Sequence, residues 1–298
     1  MNNEENRNFY KLAIIHSNFR DKLASIKTEP GNIFHYTSAA GLEGILKGNI
    51  WFSDIKYLND SSECDYIYTL IPRCLRDLDL NKDFRKILKS INKYQSDKNF
   101  YVASFSKNPD CLELWNYYTK TTNGVGYNIE FSKNCLFMIN VYSIQGAIIY
   151  SQDIQIELLK EILCQYNEFY LQNNQILKKD HSKKEVFIMN LMTLLELYNL
   201  FYKDSAFYNE QEYRVVIYNP DDIPAQTNLI EETLRHRIFN GLFIPYLEIP
   251  FNKSNIKSIK ISPNNENRLY ENGVKSLLIS NKLTFIKNIS SSKIPKRY

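Results

Sequence analysis

The stretch NIFHYTSAAGLEGILKGNIWFS, residues 32–53, encodes a strand–helix–strand unit. Its first six residues are mainly apolar and aromatic, which predicts a short strand. Ser38 is a favoured helix N-cap and Gly48 a favoured helix end, so Ala39 to Lys47 is predicted to be a helix. Ile50 to Ser53 predicts a second strand. Short strands joined by a short helix are therefore expected at the start of the core.

Outward from this unit, the pattern of apolar residues predicts an α+β chain. The predicted helices are 5–27, 63–78, 82–95, 112–118, 153–172 and 185–203, and the predicted strands are 100–106, 125–131, 136–142, 146–150, 212–218, 241–244, 256–261 and 283–287. The strands between 125 and 150 have the spacing of an antiparallel meander. We expect residues 1–30 to form an N-terminal helix packed on the core, and 31–298 a single domain with helical insertions at about 62–96 and 153–203.

The composition and the motifs that are absent argue against several classes of protein. The chain of 298 residues has nine glycines and neither a G-x-G-x-x-G nor a G-x-x-x-x-G-K-[ST] motif, which argues against Rossmann and P-loop nucleotide sites. Five scattered cysteines, a polar N-terminus and the absence of an apolar run of roughly 18 residues predict a cytoplasmic protein with reduced thiols and no membrane segment. H-E-x-x-H and G-x-S-x-G motifs are absent as well, so we expect no metal site and no serine hydrolase.

Charge is unevenly distributed along the chain. Residues 253–298 contain ten Lys or Arg and two Glu, whereas the chain as a whole has a net charge of +4. A basic C-terminal segment is suited to contact phosphate backbones. A lysine-rich solvated surface explains the same composition equally well.

Four segments carry side chains capable of chemistry, namely 34–37, 49–63, 104–126 and 209–217. On a strand, alternate residues share a face, so His35 and Thr37 are expected on one side and Tyr36 on the other. By the same rule Ser104 and Ser106 share a face, as do Glu212 and Arg214. Each segment has a purely structural alternative, namely a buried histidine at a strand end, an edge strand followed by a helix N-cap at 49–63, turn glycines at Gly124 and Gly126, and an ion pair between Glu212 and Arg214.

Taken in order, these segments resemble a bacterial family of uncharacterised proteins similar to the His-Tyr-Glu class of ADP-ribosyltransferases, including its DNA-modifying toxin branch. The resemblance is carried by His35-Tyr36-Thr37, Phe52 to Asp60, Ser104-Phe105-Ser106, Trp115 with Tyr118, Glu212-Tyr213-Arg214, and the tail residues Ser292, Pro295 and Arg297. It implies an ADP-ribosyltransferase-like fold with a split mixed/antiparallel sheet core, and NAD as substrate without a metal.

The same resemblance implies roles for individual residues. Glu212 and His35 would be catalytic, Glu212 by stabilising an oxocarbenium-like state and deprotonating the acceptor. The residues expected to contact NAD are His35, Tyr36, Thr37, Ser53, Tyr57, Asn59, Tyr66, Ser104, Ser106 and Arg214. Either Tyr57 or Tyr66 would stack on the nicotinamide.

The function expected from this resemblance is NAD-dependent ADP-ribosyl transfer, or NAD glycohydrolysis, by a toxin or phage-defence effector. Its acceptor is a macromolecule, with DNA or RNA favoured over protein, and an antitoxin or regulatory protein is an expected partner. The alternatives are a non-catalytic NAD- or ADP-ribose-binding module, and a protein that binds nucleic acid or a partner with the same fold. A membrane partner is not expected.

Overall fold

The computed structural model describes residues 3–25, 31–57, 65–91, 99–119, 125–132, 143–219, 224–239, 241–263 and 267–295. Two compact units divide the chain. A helical unit is drawn from residues 1–26, 58–99 and 148–205, and a sheet unit from 27–57, 100–147 and 206–298. The predicted insertions at 62–96 and 153–203 both lie within the helical unit's share of the chain, together with the N-terminal helix. The interpretation of 31–298 as a single domain stays a prediction.

The described residues form the following helices and strands. The helices are α1 Asn3–Ser25, α2 Ala39–Lys47, α3 Tyr66–Asp77, α4 Lys82–Ser90, α5 Leu112–Thr119, α6 Gln152–Lys179, α7 His181–Asn199, α8 Pro224–Thr233 and α9 Asn267–Ser280. The strands are β1 Ile33–Thr37, β2 Asn49–Asp54, β3 Tyr101–Ser106, β4 Tyr127–Phe131, β5 Ser143–Ala147, β6 Glu212–Ile217, β7 Leu234–Phe239, β8 Leu242–Pro250, β9 Ile256–Ile261 and β10 Asn288–Ser291.

The helical unit packs α1, α3, α4, α6 and α7 around aromatic side chains. Phe187 of α7 lies at the centre, with its ring 5.8–6.0 Å from the rings of Phe84, Tyr166, Phe169 and Tyr170. The predicted end of the helix at residue 172 is wrong. Helix α6 continues to Lys179, because residues such as the buried Leu177 keep the apolar spacing, and the chain breaks only at Asp180.

The sheet unit confirms an α+β architecture with an open, mixed sheet. Eight strands follow the order β10-β9-β4-β1-β3-β2-β8-β7, with β6 paired to β3 and β5 to β6. The pairs are antiparallel except β10–β9. The predicted meander is wrong, because β4 pairs with β1 and β9 whereas β5 pairs with β6. Residues 136–142, predicted as its middle strand, lie outside the described residues.

Strand β3 is the junction of this sheet. One edge pairs with β6 along the whole strand, from Tyr101↔Ile217 to Ser106↔Glu212. The other edge pairs with β1 at Ser106 and with β2 at Tyr101 and Val102. Two groups of strands therefore diverge from one edge of β3, with Ser104 between them.

The strand–helix–strand unit at 32–53 forms as predicted. The Ser38 hydroxyl accepts a hydrogen bond from the Gly41 amide at 3.2 Å, and Gly48 ends α2 with φ of +109°. Leu42, Ile45 and Leu46 of α2 pack on the apolar side of the sheet. Gly41 lies directly over Thr37: a Cβ added there would be 1.9 Å from the Thr37 hydroxyl oxygen.

The C-terminal part of the chain differs in detail from its prediction. Strand β9 matches the predicted 256–261, and β8 extends the predicted 241–244 to Pro250. Strand β7 was not predicted, and the last strand lies at Asn288–Ser291 rather than 283–287. Across the described ranges, every helix is too short or too polar to cross a bilayer.

Candidate functional site

Strand register determines which of the predicted residues share a face. Ser106 is paired with both Glu212 and Phe34, and Ser104 is paired with Arg214. Directly paired residues project to the same side of a sheet, so these residues and Tyr36 share one face. We call this the Glu212 face, defined by Tyr36, Ser104, Ser106, Glu212 and Arg214. Three neighbouring strands thus bring five of the predicted site residues together.

A buried ion pair occupies the centre of this face. The Arg214 Nε and Nη2 atoms donate to the two carboxylate oxygens of Glu212 at 2.6 and 3.0 Å. Their side chains are only 2% and 9% exposed. The two residues are two positions apart on β6, which places them side by side on one face. The guanidinium supplies the counter-charge that a buried carboxylate requires and fixes its orientation.

The chain enters β6 through a constrained turn. Gln211, immediately before Glu212, has φ of +44°, in the left-handed region that residues other than glycine rarely adopt. Its carbonyl accepts from the Lys107 amide at 2.9 Å and its amide donates to the Tyr208 carbonyl at 3.1 Å. Such conformations persist where the surroundings enforce them, and they concentrate at functional sites.

The two serines of β3 differ in what they contact. The Ser106 hydroxyl donates to the Glu210 carbonyl at 2.6 Å and accepts from the Asn108 amide at 2.9 Å, so it secures the segment that leads into β6. Ser104 is partly exposed beside Arg214. Ser104 is therefore better suited to meet a ligand than Ser106.

Tyr36 has a structural role in this arrangement. Its ring packs edge-on against Trp115 at 4.7 Å, and its hydroxyl donates to the Asn108 carbonyl and accepts from the Cys111 amide, both at 2.8 Å. Burial raises the pKa of the Tyr36 hydroxyl well above its usual value, so the group is neutral. Tyr36 thereby anchors the loop before α5.

Sequence reasoning missed Asp110, which connects several residues of the predicted motifs. Its carboxylate accepts from the Trp115 indole nitrogen and from the Ser292 hydroxyl, both at 2.7 Å, and lies 3.4 Å from the Lys260 amine. Trp115 and the tail residue Ser292 are thus held by one acceptor. The signal available in the sequence was the Asn108-Pro109-Asp110 turn just before α5.

His35 projects to the other face of β1 from Glu212. Its ring lies 5.4 Å from that of Phe105, and its Nδ1 atom is 2.9 Å from the Ser104 carbonyl oxygen. Burial lowers the pKa of the His35 imidazole, so the ring is neutral and its Nδ1–H donates to that carbonyl. His35 therefore forms a hydrogen bond with the β3 backbone at the point where β1 and β2 diverge. Its ring lies on the side of the sheet opposite the Glu212 carboxylate.

The remaining predicted residues lie outside the five that define the Glu212 face. Thr37 is buried under Gly41, and Ser53 accepts a hydrogen bond from Arg237 at 3.3 Å. Tyr57 is 41% exposed after β2. Tyr66 belongs to the helical unit, where its hydroxyl donates to Gln155 at 3.1 Å. Asn59 lies outside the described residues, and the choice between the two tyrosines stays open.

Within the part of the chain that the structure describes, no three His, Cys, Asp or Glu side chains are grouped as a metal ion would need.

Comparison with known proteins gives one match. A family model described as "Protein of unknown function (DUF2971)" matches residues 114–215, which span α5 to β6 and include Trp115, Glu212 and Arg214. That range is less than half of the chain, and nothing in the match bears on ADP-ribosyl transfer. No curated protein and no solved structure matches the chain.

Proposed function

We propose that this protein is an NAD-dependent ADP-ribosyltransferase in which Glu212 is the catalytic carboxylate. The observation that carries the proposal is the buried Glu212–Arg214 pair beside Ser104 on one face of the sheet. The ADP-ribosyltransferase-like fold, with its sheet dividing at one strand, is part of the proposal. It is supported by the divergence of β1 and β2 from one edge of β3.

The chemistry suits the side chains that share the Glu212 face. Cleavage of the glycosidic bond of NAD develops positive charge on the ribose, which an oriented carboxylate stabilises. The same carboxylate can accept the proton of an attacking hydroxyl or amine. In this proposal Arg214 orients Glu212, and Ser104 contributes a hydroxyl to the bound nucleotide.

His35 has a positioning role in the proposed site. Its side chain lies on the face away from Glu212, but its ring bonds the backbone of Ser104. A fixed Ser104 carbonyl keeps the Ser104 side chain in register with Arg214. Direct contacts of His35, Thr37 or either tyrosine with NAD stay predictions.

In this proposal a nucleic acid is favoured over a protein as the acceptor of ADP-ribose. The proposed cellular role is that of a toxin or phage-defence effector. The basic C-terminal segment supports the acceptor class, since Lys257, Lys275, Lys282 and Lys287 are all exposed. An antitoxin or regulatory partner belongs to the same proposal.

The deciding experiment measures nicotinamide released from NAD by the purified protein. Glu212→Asp keeps the charge but withdraws the carboxylate by about 1.5 Å, one carbon–carbon bond. A displacement of that size can cost about 100-fold in rate. Glu130→Gln is the matched control, because Glu130 is a partly buried carboxylate on β4, three strands away in the sheet.

Equal nicotinamide release by the wild type and Glu212→Asp would refute the catalytic assignment. Binding of NAD without any release would favour the non-catalytic binding module. For the acceptor, labelled NAD is offered with single-stranded DNA, RNA or protein. Label on the nucleic acid should fall when Lys257, Lys275 and Lys287 become Gln, and binding should weaken steeply with salt. Label on protein alone would contradict the proposed acceptor.

A further inference from the structure

The face that carries Glu212 continues onto strands that the proposed function does not use. Ser53 pairs with Val102 of β3 and with Tyr246 of β8, and Tyr246 pairs with Arg235 of β7. Since alternate residues share a face, Trp51 and Arg237 project to this side as well. We call Trp51, Ser53, Tyr246, Arg235 and Arg237 the Arg237 patch.

Contacts within the Arg237 patch connect its members closely. The Arg237 Nη2 atom donates to the Ser53 hydroxyl oxygen at 3.3 Å, and the Trp51 ring lies 4.7 Å from that of Tyr246. Burial raises the pKa of the Tyr246 hydroxyl, with Glu248 adding to the effect, while Arg235 and Arg237 both oppose it. Two positive charges and two aromatic rings therefore share one area of three strands with a carboxylate, that of Glu248, which is paired with Trp51 and lies 3.9 Å from Arg235.

Two buried donors in this patch lack acceptors. The Arg237 Nε and Trp51 Nε1 atoms are both shielded from solvent and have no hydrogen-bond acceptor among the described residues. Both groups can only donate. Among the described residues, the Arg235 Nε atom lies 3.9 Å from a carboxylate oxygen of Glu248, whereas Arg237 has no carboxylate partner. A buried donor left unpaired is costly, so an external acceptor that carries negative charge would satisfy both.

We propose that Trp51, Ser53 and Arg237 bind a phosphate group of a ligand. A phosphate presents several acceptor oxygens in a tetrahedral arrangement, and a guanidinium fork, an indole N–H and a hydroxyl can each meet a different one. Both Trp51 and Arg237 are partly exposed as whole residues, so a ligand can approach them, and it meets the two shielded nitrogen atoms once the groups that cover them move aside.

The patch lies within reach of the Glu212 face. Ser53 is one strand and two residues away from Ser104. With about 4.8 Å between strands and about 3.4 Å per residue, this separation is about 8 Å. The diphosphate of a nucleotide bound beside Glu212 is therefore one source of the phosphate, and this identity rests on the proposed function. The backbone of a polynucleotide is the other source.

The test measures binding of inorganic pyrophosphate, without any turnover, by calorimetry and by tryptophan fluorescence. Trp115, the other tryptophan, is fully buried, so a fluorescence change that disappears in Trp51→Phe reports on the patch. We expect Arg237→Gln to weaken pyrophosphate binding at least about tenfold and Trp51→Phe a few-fold. Arg268→Gln, on the exposed part of α9, is the matched control and should bind as the wild type does.

Competition separates the two sources of phosphate. Displacement of pyrophosphate by ADP-ribose supports a nucleotide occupant, and displacement by a single-stranded oligonucleotide supports a polynucleotide. If Arg237→Gln does not fold, Arg237→Lys keeps the charge, loses the fork and should still bind more weakly. The proposal would be overturned if the wild type did not bind pyrophosphate, or if both Arg237 variants bound it as tightly as the wild type does.

Failure of this proposal can be told apart from failure of the proposed function. Glu212→Asp should keep its affinity for pyrophosphate while losing nicotinamide release. Pyrophosphate binding without NAD cleavage would remove the enzymatic proposal alone. NAD cleavage without pyrophosphate binding would remove the phosphate site alone.

Discussion

The Glu212–Arg214 pair makes a quantitative prediction about stability that is independent of catalysis. Removing one partner of a buried pair leaves an uncompensated charge and costs about 3–5 kcal/mol. With side chains only 2% and 9% exposed, both partners meet the condition for that cost. We therefore expect Glu212→Met and Arg214→Met each to destabilise the sheet unit by about 3–5 kcal/mol. The double variant should be within about 2 kcal/mol of the wild type, since two apolar side chains replace the pair.

The assay is urea unfolding, monitored through tryptophan fluorescence. Trp51 and Trp115 both belong to the sheet unit, so the signal reports on the part of the chain that contains the pair. The exposed pair Glu43–Lys47 on α2 is the control, with an N–O distance of 2.7 Å and side chains 52% and 61% exposed. Its removal should change stability by less than about 0.5 kcal/mol.

Additive costs would refute the reasoning about the Glu212–Arg214 pair. If the double variant loses the sum of the two single losses, the two side chains do not act as one unit. We expect a coupling free energy of at least about 4 kcal/mol. The double variant should also release no nicotinamide even though it is folded, which separates the catalytic role from the structural one.

Three further predictions follow from other parts of the sheet unit. Gly41→Ala places a methyl group 1.9 Å from the Thr37 hydroxyl oxygen and should lower the free energy of unfolding by about 1–3 kcal/mol. Gly44→Ala places its methyl group in ordinary contact at 3.5 Å and should raise that free energy by up to about 1 kcal/mol, because alanine has the higher helix propensity. Thermal unfolding of the two variants measures the difference. The lowered pKa of His35 means that the unfolded chain binds a proton more readily than the folded protein does, so stability should fall as pH drops below about 6.5. Urea titrations at several pH values measure this dependence, and His35→Gln should flatten it. Burial raises the pKa of the Cys111 thiol to about 11, so at pH 8 iodoacetamide should alkylate it slowly in the folded protein and quickly in urea; fast reaction in both would contradict its burial.

Local features of the sequence were sufficient for the parts of the fold that depend on neighbouring residues. Ser38 and Gly48 cap a short helix through contacts within a few residues, and α2 was predicted at its observed bounds. Alternation along a strand likewise predicted that Glu212 and Arg214 share a face. Pairing between strands is not local, so the chain gave no sign that β4 joins β1 and β9 or that β7 forms at all.

The sequence predicted which residues of one strand share a face, but not which strands bring those residues together. Alternation placed Ser104 with Ser106, and Glu212 with Arg214, yet only the register Ser106↔Glu212 shows that both pairs occupy one face. Asp110 accepts bonds from residues as far along the chain as Ser292, a contact that no local pattern encodes.

The side to which His35 projects depends on a choice the sequence leaves open. A shift of one residue in the pairing of β1 with β3 would exchange the positions of His35 and Tyr36. Tyr36 takes the Glu212 face because its hydroxyl meets the Asn108 carbonyl and the Cys111 amide there, while its ring packs on Trp115. His35 is then directed to the opposite side, where its Nδ1–H reaches the Ser104 carbonyl. In the proposed function, the histidine of the predicted motif therefore acts through the β3 backbone, whereas the carboxylate acts through its own side chain.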